Sequence, residues 1–561
     1  MIEFVSANIA PIMFGVIIFF LLSGFPVAFS LSACGLFFGF VGLELDIIPS
    51  TLFQALPLRV LGIMQNENLL AIPFFTLMGL ILERSGMAED LLETIGQVFG
   101  PVRGGLALAV IFVGALLAAT TGVVAASVIS MGLISLPIML RYGYSRPIAA
   151  GVITASGTLA QAIPPSLVLI VMADQLGRPV GEMYKGAMIP ALALVGLYAL
   201  FIIGLAIFKP KTVPALPPEA LAYREPDGSS GLRSLGALTI VVTAASIALG
   251  KNYDTVLHWF KGPDVVAPAL DEVIVVALTF GTILALVLAL INKGLRIGLL
   301  SRIAERVTFV LIPPLILIFL VLGTIFLGVA TPTEGGAMGA VGAMIMAASR
   351  KRLDFKTLIQ ALESTSRLSI FVLFILVGST IFSFVFTAVD GQKWVEHLFD
   401  RLPGGQLGFL LFVNTVIFFL GCFIDFFEIA FILMPLLGPV ADKMGIDLIW
   451  FGVIIAMNLQ TSFLTPPFGF ALFYLRSVAP ANAYLDRITN KRIEGFKTGD
   501  IYRGSVAFVI IQLIMVALVV AFPELVSGGL DEKAKVDLDT IQIQQPAGES
   551  GWGESGGGAW K

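Results

Sequence analysis

Charge is scarce in this chain. Only 13% of its 561 residues are charged, 57% are hydrophobic, and the mean hydropathy is +0.96. A soluble globular domain carries about 25% charged residues, so a soluble enzyme is excluded and a polytopic membrane protein is implied. Cysteine and histidine are almost missing, with two of each. Cys34 and Cys422 lie in apolar surroundings, which leaves no disulfide framework and no Cys/His metal site. His258 and His397 fall in separate loops and form no catalytic triad. There is no G-x-x-x-x-G-K-[ST] run, so no phosphate-cradling loop, no nucleotide cofactor and no hydrolytic chemistry is expected. The net charge of −4 gives no sign of a nucleic-acid partner. No Lys or Arg precedes the first apolar run, which is therefore expected to be a span and not a cleaved signal peptide.

What is present is a succession of apolar segments, at 9–23, 25–43, 68–82, 106–140, 148–173, 187–207, 234–250, 272–292, 309–329, 333–349, 368–388, 406–440, 448–475 and 504–523. Most suit one crossing of the bilayer. Two are too long, 106–140 and 406–440, and each has a small or polar point near its middle: Thr120-Thr121-Gly122 and Gly421 to Asp425. These are expected to be re-entrant hairpins. With the N-terminus placed outside, most of the 34 basic residues fall in inside loops, among them Arg141, Arg146, Lys293, Arg302, Arg306, Arg350 and Arg352. The positive-inside rule then puts both termini outside, with the first hairpin opening inside and the second outside.

Two Pro-Pro pairs in apolar segments are expected to break their helices. Pro164-Pro165 and Pro466-Pro467 lie 302 residues apart. Proline removes a backbone donor and clashes with the preceding turn. Such a break at bilayer depth is tolerated only inside protein or at a polar cavity. The same offset relates Pro11 to Pro313, Ala28 to Ala330, Pro137 to Pro439 and Gly143 to Gly445. Element order agrees as well, with amphipathic stretches at 88–105 and 389–405 ahead of each hairpin. Five crossings per half is odd, so the halves are expected to be inverted repeats, the arrangement that marks a transporter's binding site. The expected division is a first repeat at 1–207, an insert with two extra spans at 208–305, a second repeat at 306–525 and a disordered outside tail at 526–561.

Acidic groups at membrane depth are few: Glu334, Asp425 and Glu428, with Glu67 near an entrance. Buried charge is costly, so such residues face a cavity or a partner. Asp425, at the second hairpin tip, is expected to line the transport site. Thr333 is expected to cap the helix in which Glu334 occupies the first turn. Hydroxyls and small residues cluster at the breaks: Thr120, Thr121, Gly122, Ser156, Gly157 and Thr158 in the first half, and Asn458, Thr461 and Thr465 in the second. Carbonyl, hydroxyl and carboxylate oxygens suit a small hard cation, and half-helix N-termini suit an anion. Ordinary helix packing also uses these residue types. The clusters taken together favour one cation site per half, with a carboxylate-bearing substrate between them.

The chain resembles the large membrane subunit of the tripartite ATP-independent periplasmic (TRAP) transporters. The stretches that carry the resemblance are Asn68 to Pro73 with Met78-Gly79, Arg141 to Tyr144, and Ile163-Pro164-Pro165-Ser166. Ala330 to Glu334, and Asn458-Leu459 with Thr465 to Gly469, complete them. The likeness covers about 1–207 and 305–525. It implies an all-α elevator in which hairpins and broken helices slide against a scaffold of the other spans, with sodium as the coupling ion. Sodium would lie near Thr121, Gly122 and Pro164, and near Asp425, Thr461 and Pro466. It also implies a separate small membrane subunit of about four spans, a periplasmic substrate-binding protein, an organic acid substrate such as a dicarboxylate, and residence in the bacterial inner membrane. The first tip reads Thr-Thr-Gly-Val-Val where the family leads one to expect a Ser-Gly-Ser-like turn. The alternatives are a stand-alone elevator symporter that needs no binding protein, the permease of an ATP-driven importer, and a membrane enzyme or channel.

Overall fold

A computed structural model describes residues 2–220, 223, 225, 230–261, 270–295, 298–466, 468–486 and 489–528. The sequence's long apolar runs all become helix, because in a bilayer a chain must satisfy its backbone groups within itself. Among the described residues, eight helices are long and apolar enough to cross a membrane, or up to ten if two bent helix pairs each count as one span. The chain is therefore a multi-pass helical membrane protein. Of the tail expected at 526–561, residues 526–528 are described and are ordered, Val526 being buried in the short helix Glu524–Ser527; 529 onward lies outside the described residues.

The first half runs Ile9–Leu22, Val27–Glu44, Ala71–Arg84 and the amphipathic Met87–Phe99. A helical pair, Gly105–Thr121 and Val124–Arg141, follows. Then come a broken pair, Arg146–Thr158 and Leu167–Gln175, and a long helix, Val180–Phe208. The second half repeats this order: Arg302–Phe326, Pro332–Ser349, Phe355–Ala388 and Gly391–Asp400 come first. Gly405–Leu420 and Phe426–Lys443, Leu448–Phe463 and Phe470–Val478, and Thr498–Ala521 complete it. Moving Val124–Arg141 forward by the proline offset lands on Phe426–Lys443 to the residue. Each of these two helices ends before a left-handed glycine, Gly143 at φ 83° and Gly445 at φ 76°.

Packing between the halves is reciprocal. Val27–Glu44 lies on Phe355–Ala388, and Ala71–Arg84 lies on Pro332–Ser349. Arg146–Thr158 packs on Thr498–Ala521, and Leu448–Phe463 packs on Val180–Phe208. The second piece of each broken pair rests on the other half's hairpin arm: Leu167–Gln175 on Phe426–Lys443, and Phe470–Val478 on Val124–Arg141. The centre of the molecule is here. Every residue of Leu448–Phe463 except Trp450 is buried, as is the whole of Ala149 to Thr158. A helix buried on all sides needs no polar face, which is why its sequence shows no amphipathic stripe.

Three features depart from the sequence expectation. Phe355–Ala388 starts 13 residues before the apolar segment, because Asp354 accepts the Thr357 amide at 2.8 Å and opens a polar first stretch. Its 34 residues span about 50 Å, longer than a hydrocarbon core of about 30 Å. A short helix, Leu56–Met64, follows the second span; its Arg59 guanidinium stands 5.4 Å from the Phe384 ring. Between Phe470–Val478 and Thr498–Ala521 the chain forms a small antiparallel pair, Tyr484–Leu485 with Arg492–Ile493. Arg141 anchors that loop, with Nε 3.0 and 3.1 Å from the two oxygens of Asp486, itself only 4% exposed. Arg141 and the Thr489 hydroxyl hold the Asp486 carboxyl well below the usual carboxylate range. The insert forms Leu232–Lys251, Tyr253–Lys261 and Leu270–Leu295, and the last of these packs along Arg302–Phe326.

Candidate functional site at the two helix breaks

Each helix break meets a hairpin tip. In the first half, Arg146–Thr158 tightens into a 3-10 turn at Leu159–Gln161 and then stops, because Pro164 and Pro165 have no N–H to give. Ser166 restarts the helix: its Oγ accepts the Val168 amide at 3.2 Å and donates to the Gln161 carbonyl at 2.7 Å. Pro164, Pro165 and Ser166 are all buried, and the Pro164–Pro165 bond is cis. The tip of the first hairpin presses on this restart. Gly122 ends its arm in the left-handed region at φ 60°, and a Cβ there would stand 3.1 Å from Leu167 Cγ and 3.5 Å from the Leu167 amide nitrogen. Only glycine fits both the conformation and the contact.

In the second half the helix ends at Phe463, the chain turns through Leu464, Thr465 and Pro466, and helix resumes at Phe470. Pro467 lies outside the described residues. The tip contact recurs one turn earlier: a Cβ on Gly421 would stand 2.8 Å from Ser462 Cβ and Oγ. Asp425 is the N-cap residue of Phe426–Lys443, and its amide donates to Glu428 Oε2 at 3.3 Å. Both carboxylates are part-exposed, at the end of a helix whose free amides favour negative charge.

The two breaks are joined at the centre. Gln460 Nε2 donates to Thr158 Oγ1 at 3.4 Å, and these two residues are 302 apart, the register of the proline pairs. Register mates touch only where a two-fold relation passes through them. Tyr198 stands close to Gln460, and its hydroxyl accepts from Gln512 Nε2 at 2.7 Å. Both oxygen and nitrogen of the Gln161 amide are buried without a partner, as are Gln460 Oε1 and Gln512 Oε1. Buried amides are normally satisfied by protein or water, so these atoms keep unused hydrogen-bonding capacity in the apolar centre. Gln512 and Tyr198 were missed in the sequence reading. The signal was there, since a glutamine inside an apolar run demands a partner.

The other expected residues fall into place differently. Thr120 Oγ1 donates to the Leu117 carbonyl at 2.9 Å, Ser156 Oγ to Val152 at 2.7 Å, Thr461 to Met457 at 3.1 Å and Thr465 to Thr461 at 2.9 Å. These are bonds along their own helices, which leave each hydroxyl oxygen able to accept but not pointed as a free donor. Thr121 lies at the last turn of its arm. Ser156 sits against Gly114 in the arm, and a Cβ on Gly157 would stand 2.3 Å from Val128, so both serve close helix contact below the tip. Asn458 donates to the Asn414 carbonyl at 2.7 Å and pins the broken helix to the second hairpin's first arm. Thr333 and Glu334 are not brought to either break. The helix cap is Thr331, not Thr333: Thr331 Oγ1 accepts the Glu334 amide at 3.2 Å, and Glu334 returns an oxygen to the Thr331 amide at 2.8 Å. Proline at position 332 suits the first helical turn, which places the cap one residue before it. The Thr333 hydroxyl instead donates to the Glu67 carbonyl.

The hairpins also differ from each other. The arms Gly105–Thr121 and Val124–Arg141 pack on each other and on Arg146–Thr158. Gly405–Leu420 and Phe426–Lys443 scarcely do; the first lies on Leu448–Phe463 and the second on Leu167–Gln175 and Phe355–Ala388.

Two register-related helix breaks, each met by a tip, thus stand at the centre of a multi-pass membrane protein. Residues 14–525 match the family model described as "Tripartite ATP-independent periplasmic transporter, DctM component", and the chain belongs to that family. Among its relatives is the C4-dicarboxylate TRAP transporter large permease protein DctM of Pseudomonas aeruginosa, 26% identical over 84% of this chain and 88% of that protein. The sialic acid TRAP transporter large permease protein SiaM of Vibrio cholerae is 24% identical over 90% of this chain and 94% of its own length. A solved structure, the YdaH transporter of Alcanivorax borkumensis, covers 84% of this chain and 88% of its own at 14% identity and a TM-score of 0.47.

Proposed function

We propose that this chain is the permease of a sodium-driven secondary transporter that imports an organic acid across the bacterial inner membrane. A periplasmic binding protein delivers the substrate, and a small membrane subunit of about four spans completes the complex. Both termini face the periplasm. The observation that carries the reading is the pair of tip-on-break contacts, Gly122 on Leu167 and Gly421 on Ser462, joined through Gln460 and Thr158. In this reading each tip holds carbonyl oxygens of a broken helix near the amides of a restarting one. The first can take a cation and the second a carboxylate. One sodium site lies around Thr121, Gly122 and Pro164, the other around Asp425, Thr461 and Pro466. The hairpins and broken pairs move together against the other spans, in elevator fashion. Relatives named for C4-dicarboxylate and for sialic acid favour an acid as cargo.

The test is uptake in proteoliposomes that hold the purified subunits, the binding protein and a labelled acid. An inward sodium gradient without ATP is expected to drive accumulation, and collapse of the gradient is expected to stop it. Accumulation that requires ATP under a held gradient removes the reading. Accumulation at full rate without the binding protein removes the tripartite part of it.

A further inference from the structure

Where the insert returns to the second half, five cations surround one cavity. It measures about 1000 Å³, and Lys293, Arg302, Arg306, Arg350 and Arg352 line it. Its lining carboxylates are Asp90 and Glu305. Asp90 is shared three ways, at 3.1 Å from Arg350, 2.9 Å from Arg352 and 3.9 Å from Arg306. Glu93 lies nearby, 4.0 Å from Arg306. Glu305 is taken by the Asn292 amide at 2.6 Å. Two cations are left over among the described residues. Lys293 Nζ stands 4.8 Å from the Phe309 ring and makes no ion pair, nor does the Arg302 side chain, although the Glu225 carboxylate accepts the Arg302 backbone amide at 2.6 Å. The Arg306 Nε is buried without an acceptor, while its guanidinium lies 5.7 Å from the Tyr223 ring.

The cavity is amphiphilic. Phe309, Val310, Pro313 and Met346 supply an apolar wall beside the cations. Ile312, the residue before Pro313, lines a second space of about 550 Å³, an apolar crevice between the insert helices past Val242, Ala277 and Ala285. From Val273 to Ala285 this crevice follows 12 residues of helix, about 18 Å along the axis. That is on the scale of an acyl chain. Unpaired guanidinium and ammonium groups match phosphate oxygens, and basic pockets between membrane helices suit lipid headgroups. We propose that the cavity binds the phosphate of an anionic membrane lipid, with an acyl chain in the adjoining crevice. A soluble phosphate shares the headgroup chemistry and leaves the crevice unused. The site depends on the insert, which provides Lys293, Tyr223 and both crevice walls.

The experiment is thermal melting of the purified full chain in a neutral detergent. Phosphatidylglycerol, phosphatidylethanolamine and inorganic phosphate are titrated separately. Phosphatidylglycerol is expected to raise Tm saturably, and the other two are expected to leave it flat. Lys293→Ala with Arg302→Ala is expected to move the midpoint at least about fivefold to higher lipid with an unchanged lipid-free Tm, since neither side chain holds an ion pair. Should that pair of changes disturb folding, Lys293→Gln alone carries the same expectation at smaller size. Ala285→Phe, which narrows the crevice and removes no charge, is expected to weaken the lipid response as well. A phosphate response equal to that of phosphatidylglycerol would overturn the lipid assignment. An unaltered midpoint in the charge variants would overturn the site.

Discussion

The two half-sites share one register and differ in charge and closure. Val123 and Asp425 are register mates, and each is the N-cap residue of its hairpin's second arm. One turn on, Ala126 stands where the second half has Glu428. The first half therefore opens its arm with apolar residues and the second with two carboxylates. The first break is sealed, with Pro164 and Pro165 buried and the hairpin arms packed together. The second is looser. Its arms part, Pro466 is part-exposed, and Phe423 at the tip, 53% exposed, lies 5.0 Å from the Phe468 ring. A shared fold need not mean equal labour: a neutral sealed site suits an ion held by neutral oxygens, and one with two carboxylates suits a cation held by charge as well.

The sharpest way to break this comparison is to remove the charge alone. Asparagine caps a helix about as well as aspartate, so Asp425→Asn leaves the cap and deletes the carboxylate. It is expected to lower sodium-driven uptake by more than about tenfold, or at least about 1.4 kcal/mol in the coupled step. Val123→Asn, the mirrored change, is expected to lower uptake less than about threefold. Both are read as initial rates in proteoliposomes, with membrane yield checked by fluorescence. Uptake of the Asp425→Asn variant near wild type would show that the carboxylate only caps its helix.

A smaller effect separates the two tips by cause. Gly122 is needed for its left-handed φ as well as for space, whereas Gly421 has φ −65° and needs space only. Alanine at either position is expected to cost about 1–3 kcal/mol of stability, from left-handed strain or overpacking. The second-site rescues are expected to differ. Ser462→Gly restores most of what Gly421→Ala loses, and Leu167→Val restores little of what Gly122→Ala loses, because no neighbour relieves a strained φ. Double-mutant cycles on Tm give the comparison. Equal rescue at both tips would mean that contact alone governs them.

Much of this frame was legible in the sequence. Pro164-Pro165 and Pro466 fall at the breaks, and the offset that relates them carries through to the Val124–Arg141 and Phe426–Lys443 helices; proline alone does not break a helix here, since Pro313-Pro314 lie inside the continuous helix Arg302–Phe326. Family-level motifs such as Ile163 to Ser166 and Thr331 to Glu334 sat where tight backbone geometry demands particular residues. The rest depends on three-dimensional neighbours. Ser156, Asn458 and Thr461 were grouped with the site by composition, but their bonds run along their own helices or into the packing. Thr333 lost the cap to Thr331 through a single proline. The Tyr198, Gln460 and Gln512 group joins residues as much as 314 positions apart, which no local pattern encodes. The parting of the second hairpin's arms follows from which helices flank them, a fact of packing alone.

The smallest expected effect lies outside the membrane, where the halves again differ. Only the first hairpin's second arm ends in a clamp, Arg141 on Asp486; its register mate Lys443 instead reaches Glu396 at 2.6 Å on an exposed surface. Asp486→Asn is expected to lower Tm by less than either glycine change, with uptake near wild type. The pH dependence distinguishes a clamp from a surface pair. The Asp486 carboxyl titrates lower when folded than its ordinary 3.8. Its contribution is therefore fully present above about pH 4 and fades only as pH falls through the lower folded value. The Tm gap between wild type and Asp486→Asn should stay constant from pH 8 to pH 5 and narrow below pH 4, while Glu396→Gln should show almost no gap at any pH. Melting curves across that range decide it. A gap that already closes between pH 7 and pH 5 would mean that another titrating group, and not the Arg141 clamp, holds this loop to the hairpin.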